Sequence, residues 1–500
     1  MRLLLLVLLS PLIASPAGGT ITLDFPVFSP AESTDGIPDP VLEAFQAGRH
    51  EEALAKAAAA GQSPGTLYML GWLHETGNGI PADSGKAVDY YQQARDAGHP
   101  QAVYRLAVAT LDHVGAKAGP DVRVLLEDAA TGNPGPAGLL LGELHARGLV
   151  GPANFELARS WWTRSAEAGE VRGHHNLGRL LDGSFGFPEK RNPGKAIESF
   201  RAAADAGYAD AMASLGSRLM HGAPGIRDEM TGLDWLRKAA AAGSPDAHFV
   251  IGNYYEYRKK DFSNALRAYH AGGEQDSILC LLRAGEFYSG GIGTSSDPAR
   301  ALELFRKAAA LGSHEGDFRT AAALLREAPD EAAVLQGYKH LLGAARAGHA
   351  RAQNELGVLY LSGRLGAADP SAAASWLDHS AAQDFASAQN NLAALFEKGL
   401  GVTLNFTAAA KLYTKAAGQG HPAAATALAR LHAEGRGVPR NLPRAWALAS
   451  LAAERGDPNG TILRQQLAET LGPGNLDAAR RILAELRSQD DRSRPPSRTP

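Results

Sequence analysis

Five hundred residues carry 50 Lys and Arg against 53 Asp and Glu, a formal net charge of −3, so no basic surplus exists to neutralise phosphates and nucleic acid is excluded as an expected partner. The apolar share is 45%, much of it alanine, with 56 glycines; helices must approach closely over small side chains to bury enough surface. A single cysteine, Cys280, excludes an internal disulfide framework. In chain order, Arg2, the apolar run 3–9 and Ser15-Pro16-Ala17 read as an export signal, residues 1–17, cleaved before Gly18. That run is shorter than the roughly 20 residues that span a bilayer, the alternative being an uncleaved anchor. No later segment is long and apolar enough for a span, so no stable membrane insertion is expected after cleavage. Residues 18–40, rich in Pro, Ser and Asp, read as a disordered leader, and 41–65 as an N-terminal helical cap.

From residue 66 to 457 one pattern returns about every 36 residues. Its Leu-Gly step falls at Leu70, Leu106, Leu141, Leu177, Leu215, Ile251, Leu356, Leu392 and Leu428, and Ala284-Gly285 fits the series. A fixed period of this size means stacked units. The expected fold is therefore all-α, a right-handed α/α superhelical solenoid of about eleven helix–loop–helix repeats. In the first helix, Ala352, Leu356 and Tyr360 lie four apart on one face. Glycine is costly inside a helix, so its recurrence at Gly71, Gly142, Gly178, Gly252 and Gly357 implies backbone contact with a neighbouring helix. Left-handed C-caps are expected at Gly77, Gly148, Gly222, Gly399 and Gly435, with a second glycine two residues on at Gly79, Gly401 and Gly437. The loops end on Asp83, Asn154, Asn192, Asp297, Asp369, Asn405 and Asn441, which are N-cap residue types. The second helix carries Ala and then an aromatic residue, as in Ala87/Tyr91, Ala158/Trp162 and Ala372/Trp376. Trp162, Trp235 and Trp376 read as occupants of one packing position, while Trp72 and Trp161 fall outside the shared slots and are expected at the surface. Residues 458–487 read as a C-terminal helical cap and 488–500 as a disordered tail.

The sixteen histidines do not read as metal ligands. His74, His145 and His432 hold a position that is Tyr or Phe in sister repeats, and His99, His349 and His421 follow the closing glycine as turn residues. Ligand spacing is missing, so no metal or cofactor is expected. The Gly-x-Gly loops lack the preceding strand of a phosphate-binding loop, and Ser184 fails the nucleophile elbow. Cys280 reads as a buried small hydrophobe.

These residues resemble the Sel-one-like repeat family, relatives of the tetratricopeptide repeats. The resemblance is carried by Leu392-Ala393 with Gly399-Leu400-Gly401-Val402 and by Leu428-Ala429 with Gly435-Arg436-Gly437-Val438, and covers most of the chain. It implies a binding scaffold or adaptor rather than an enzyme, and a bacterial exported member in the periplasm or secreted; the eukaryotic alternative is the endoplasmic reticulum lumen. The branch linked to β-lactam binding has paired cysteines, which this chain lacks. By analogy with tetratricopeptide grooves, a protein or peptide partner would lie on the concave face, on residues beside the Leu-Gly step: Asn176, Arg179, Asn391 and Arg430, with Arg105 as a weaker member. The irregular repeat around Tyr254, Tyr257 and Arg258 is a second expected anchor patch, or else a hinge, as is the repeat at 318–348. Two other readings stand beside the scaffold: an enzyme acting on cell wall or β-lactams, and a self-assembling structural protein.

Overall fold

A computed structural model describes residues 37–493, except 79, 116–118, 223–224, 328–330 and 365–366. The export signal, nearly all of the leader, Gly79 and residues 494–500 lie outside the described residues. Every regular element described is helical, and eleven helical hairpins run from Pro64–Thr76 with Ser84–Asp96 to Pro422–Glu434 with Leu442–Glu454. The contacts group the described residues into two compact units that divide between residues 251 and 252. In the first, helices Asp39–Gln46 and His50–Ala59 cover the end of the array, and Ile37, assigned by sequence to the leader, is buried in the same core as Phe45 and Trp72. In the second, Pro458–Thr470 continues the stack, while the final helix, Pro473–Ser493, lies on Leu442–Glu454 through Leu483, Ala447 and Leu451. That helix carries six residues of the expected tail.

The Leu-Gly step has a physical reason that differs from the expected one. At Gly142 a Cβ would come within 2.4 Å of the Trp162 indole nitrogen, which donates to Leu139 O at 2.9 Å. Tyr91 meets Gly71 in the same way, and Phe305 meets Gly285. In these repeats the glycine thus admits a large side chain from the second helix of its own repeat, and the ring lies at the centre of that repeat's core. The same test corrects two assignments. Gly216 and Gly357 face Leu236 and Leu377, both fully buried, so Trp235 and Trp376 sit one residue before the slot and are only half-buried. Trp72, expected at the surface, is 7% exposed against Phe45. Trp161 is half-buried, with the Arg164 guanidinium 4.3 Å above its ring.

Asp and Asn before the second helix act twice. All seven expected residues accept a backbone N–H at the helix start, for example Leu157 on Asn154 and Arg444 on Asn441. In most repeats the cap's own N–H donates back to the aromatic-slot carbonyl of the first helix: Asp83 to His74 at 2.8 Å, Asp369 to Tyr360 at 2.9 Å and Asn405 to Phe396 at 2.9 Å. One residue therefore starts a helix and fixes the loop that precedes it. Gly77, Gly148, Gly399 and Gly435 are left-handed caps, but Gly222 is extended, at φ −62° and ψ 165°. The second glycine of the loop serves a different need. Gly437 has φ +69°, and a Cβ there would sit 2.3 Å from the Phe406 carbonyl, at the first residue of the preceding repeat's second helix. Gly401 meets Pro370 in the same way.

Candidate functional site

A first helix buries the Leu-Gly side and leaves another stripe for solvent. In the last three first helices this stripe recurs at one spacing: Ser387, Asn390, Asn391 and Ala394; then Ala423, Thr426, Ala427 and Arg430; then Asn459, Ile462, Leu463 and Gln466. Steps of three, four and seven place each set on one helical face. Between the helices Pro422–Glu434 and Pro458–Thr470 the last two sets enclose a recess of about 450 Å³. It is lined by aliphatic side chains, Ala423, Ala427, Ile462 and Leu463, and by polar ones, Thr426, Arg430, Asp457, Asn459 and Gln466. Ile462 is 53% exposed, so apolar surface is open to a ligand there. Asp457 caps its helix on Asn459 N–H and accepts the Thr426 hydroxyl.

Along these faces the charges are engaged with one another. Three repeats share a clasp in which a tyrosine of the second helix donates to a first-helix glutamate, and the arginine of the next repeat pairs with that glutamate. The trios are Tyr91–Glu75–Arg105, Tyr269–Glu256–Arg283 and Tyr413–Glu397–Arg430. Asp182 and Arg218 form the version without a tyrosine, since Phe200 fills that slot. Burial raises the Glu75 carboxyl above the usual range, with Arg105 and the Tyr91 hydroxyl opposing; burial likewise pushes Tyr413 up. From Arg283 the pairing continues as a ladder: Arg283 to Glu286, Glu286 to Arg319 at 2.8 Å, Arg319 to Glu315 at 2.5 Å, and Glu315 to His349 at 2.8 Å. Burial works to raise the Glu315 carboxyl, but hydrogen bonds from His349 and Arg319 outweigh it and hold it low. An amide chain follows, with Asn390 Nδ2 donating to Asn391 Oδ1 and Asn391 Nδ2 to Asn354 Oδ1 at 3.0 Å.

The sequence-derived contact residues divide accordingly. Asn391 is half-buried within the amide chain, and Arg430 is 49% exposed, in the recess lining, with one guanidinium nitrogen 2.7 Å from Glu397. In the other unit, Asn176 and Arg179 are half-buried on the helix Val171–Asp182, with the Arg179 guanidinium 4.8 Å above the Phe185 ring. Arg105 is 3% exposed and held by Glu75, which removes it from the surface. The irregular repeat ends its first helix in a π turn, Tyr254–Lys259, closed by Lys260 at φ +56°. Tyr254 is buried there, Tyr257 is half-buried with Arg283 donating to its hydroxyl at 3.1 Å, and only Arg258 of the three is exposed. Glu256, five residues after Ile251 as in the other clasps, is buried against Arg283 and Tyr269, and of the expected anchor patch Tyr254 is a core residue. Neither the clasps nor the recess is among the sequence-derived expectations; a Glu five residues after the leucine and a Tyr in the next helix mark the clasps alone.

Several of the histidines are packing or capping groups. His145 is buried, His74 stacks on Tyr90, and His349 and His421 accept the N–H of Ala352 and Ala424 as N-caps. His175 touches Phe200 and Tyr208, and its Nε2 lies 3.2 Å from Ser214 Oγ. Burial, with Arg179 adding, pushes its pKa down to about 3. Among the described residues no three His, Cys, Asp or Glu are gathered as a metal site, Cys280 is buried, and no helix is long and apolar enough to cross a membrane.

A family model for the Sel1 repeat matches residues 65–99, 137–170, 171–208, 209–244, 278–313, 350–385, 386–421 and 422–457, more than half of the chain. The chain belongs to the Sel1 repeat family. The stretches between matches, including both irregular repeats, also fold as helical hairpins. An uncharacterized protein of Neisseria meningitidis is 28% identical over 350 residues, spanning 62% of this chain and 71% of that one. Chitin synthase regulatory factor 3 of Schizosaccharomyces pombe is 26% identical over 263 residues, half of this chain but only 28% of the fungal protein. The crystal structure of a protective antigen of uropathogenic Escherichia coli, described as displaying an SLR fold, superposes with a TM-score of 0.53 at 24% identity, over 90% of this chain and 98% of that one. It shares the solenoid fold.

Proposed function

We propose that this chain is an exported scaffold that holds a protein or peptide partner on its first-helix, concave face. The observation that carries the reading is the stripe of outward side chains repeated on consecutive first helices and ending in the open recess at Ile462. An interface of this kind spreads over several repeats, each adding a small contact. The family is one of scaffolds and not, in general, of enzymes. A fungal relative named as a regulatory factor of a synthase is also named for its effect on another protein. Export rests on the charged, apolar and small-residue pattern of residues 2–17.

The test is affinity capture from an envelope extract with immobilised residues 18–500, beside an Asn391→Arg variant of matched circular dichroism. The expected result is a partner retained by the parent, lost by the variant, and bound again when purified. A partner held equally by both would move the interface off this face, and no partner at all would refute the scaffold reading.

A further inference from the structure

The loops of the last repeats carry a charge that the chain as a whole does not. Residues 398–407 and 434–444 hold Lys398, Arg436, Arg440 and Arg444 against one carboxylate, Glu434, whereas the whole chain has 50 basic residues and 53 acidic ones. The two loops are stacked in register. Leu400 and Arg436 each stand between the paired glycines, and Leu404 and Arg440 each precede the capping asparagine. Gly437 lies against the Phe406 carbonyl, and the Arg436 guanidinium is 5.5 Å from the Phe406 ring, so the basic loop packs on the end of the leucine loop. On the other side Gly401 lies against Pro370, and Arg364 follows Gly363 as Leu400 follows Gly399. Two leucines therefore stand between arginines contributed by the repeats on either side. Leu400 is 44% and Leu404 54% exposed. Arg364 and Arg440, both exposed, donate to the backbone carbonyls of Leu325 and Ala433, bonds that leave their charge unneutralised. Arg436 pairs with Glu434 at 3.2 Å.

We propose that this loop edge docks on an anionic bilayer surface, with Leu400 and Leu404 entering the boundary between headgroups and acyl chains and Arg364, Lys398, Arg436 and Arg440 meeting lipid phosphates. Two features select a bilayer over a soluble acidic partner. A partner held by charge alone has no use for two exposed leucines set among the cations, whereas a bilayer offers negative charge at its surface and apolar depth about 5–10 Å below it. The leucines also lie on loops at the ends of helical hairpins, and a bilayer, unlike a peptide, needs no groove to receive them. The contact is peripheral: a few cations and two aliphatic tips anchor a chain reversibly. It uses the loops and not the first-helix stripe, so it stands or falls independently of the scaffold reading.

The test is co-sedimentation of residues 18–500 with vesicles of phosphatidylcholine, alone or mixed with one third phosphatidylglycerol; the apolar run 3–9 is left out because it would enter a bilayer by itself. The chain should bind the anionic vesicles about tenfold or more tightly than the neutral ones, and high salt should remove most of that difference. Lys398→Ala combined with Arg440→Ala should weaken binding about twentyfold or more, at about fivefold for each cation near an anionic surface. Leu400→Ser combined with Leu404→Ser should weaken it about tenfold or more. All four positions are exposed, and matched circular dichroism confirms that the variants fold. Equal binding to neutral vesicles, a cation variant that binds as the parent does, or no binding at all would each overturn the proposal. A weakened cation variant beside an unaffected leucine variant would overturn it as well, and would assign the edge to a soluble acidic surface instead.

Discussion

Replacing His175 by Phe tests whether the first-helix face is as tightly packed as its geometry implies. The ring sits 5.6 Å from Phe200 and 5.2 Å from Tyr208, and its Nε2 is 3.2 Å from the Ser214 hydroxyl. Burial and then Arg179 depress its pKa to about 3, whereas an unfolded histidine titrates near pH 6.5. Between those values the unfolded chain binds a proton that the folded chain refuses, so stability falls as pH falls. The slope is about 1.4 kcal/mol per pH unit, and by about pH 5 the loss reaches about 2 kcal/mol, an upper value if water enters the site. Phe cannot titrate and keeps the ring contacts, but it loses the hydrogen bond to Ser214, worth about 1 kcal/mol at every pH. His175→Phe should therefore be less stable than the parent at neutral pH, equal to it near about pH 6, and more stable below. Urea unfolding followed by circular dichroism on both proteins across this range gives the difference curve, in which the other histidines cancel. A constant difference from neutral to acidic pH would refute the argument and mean that the ring titrates normally in the folded state.

Two comparisons test the packing rules. Gly437→Ala should lower stability by about 2 kcal/mol or more, from the left-handed φ and the overlap with Phe406 backbone. Gly418→Ala, in a helix and with nothing near its Cβ, should be neutral or raise stability by up to about 1 kcal/mol; thermal melts that rank the two the other way would sink the reading. Leu377→Ala should lose about 2–5 kcal/mol because it empties the slot against Gly357, and Trp376→Ala should lose less despite removing the larger side chain. Denaturant midpoints decide between them, and a larger loss at Trp376 would return the tryptophan to the core.

What the sequence determined by itself was local and periodic, with Gly222 as the exception among the expected left-handed caps. The Leu-Gly step, the left-handed glycines and the Asp or Asn before each second helix are short-range signals, because a cap or a turn is specified within a few residues. Hence all seven N-caps were legible, and so was the membership of the irregular repeat in the series. The one-residue error at Trp235 and Trp376 shows where that ends: Leu236 and Leu377 are as apolar as their neighbours, and only the position of the facing glycine decides which side chain enters the core. Arg430 and Asn391 could be assigned to a face from helical spacing, but Glu397 and Asn354, their partners, stand 33 and 37 residues away. The burial of Arg105 and Tyr254, the clasps, and the recess at Ile462 are decided by how one hairpin stacks on the next. That stacking is a sum of many small contacts between separate repeats, and no single stretch of the chain contains it.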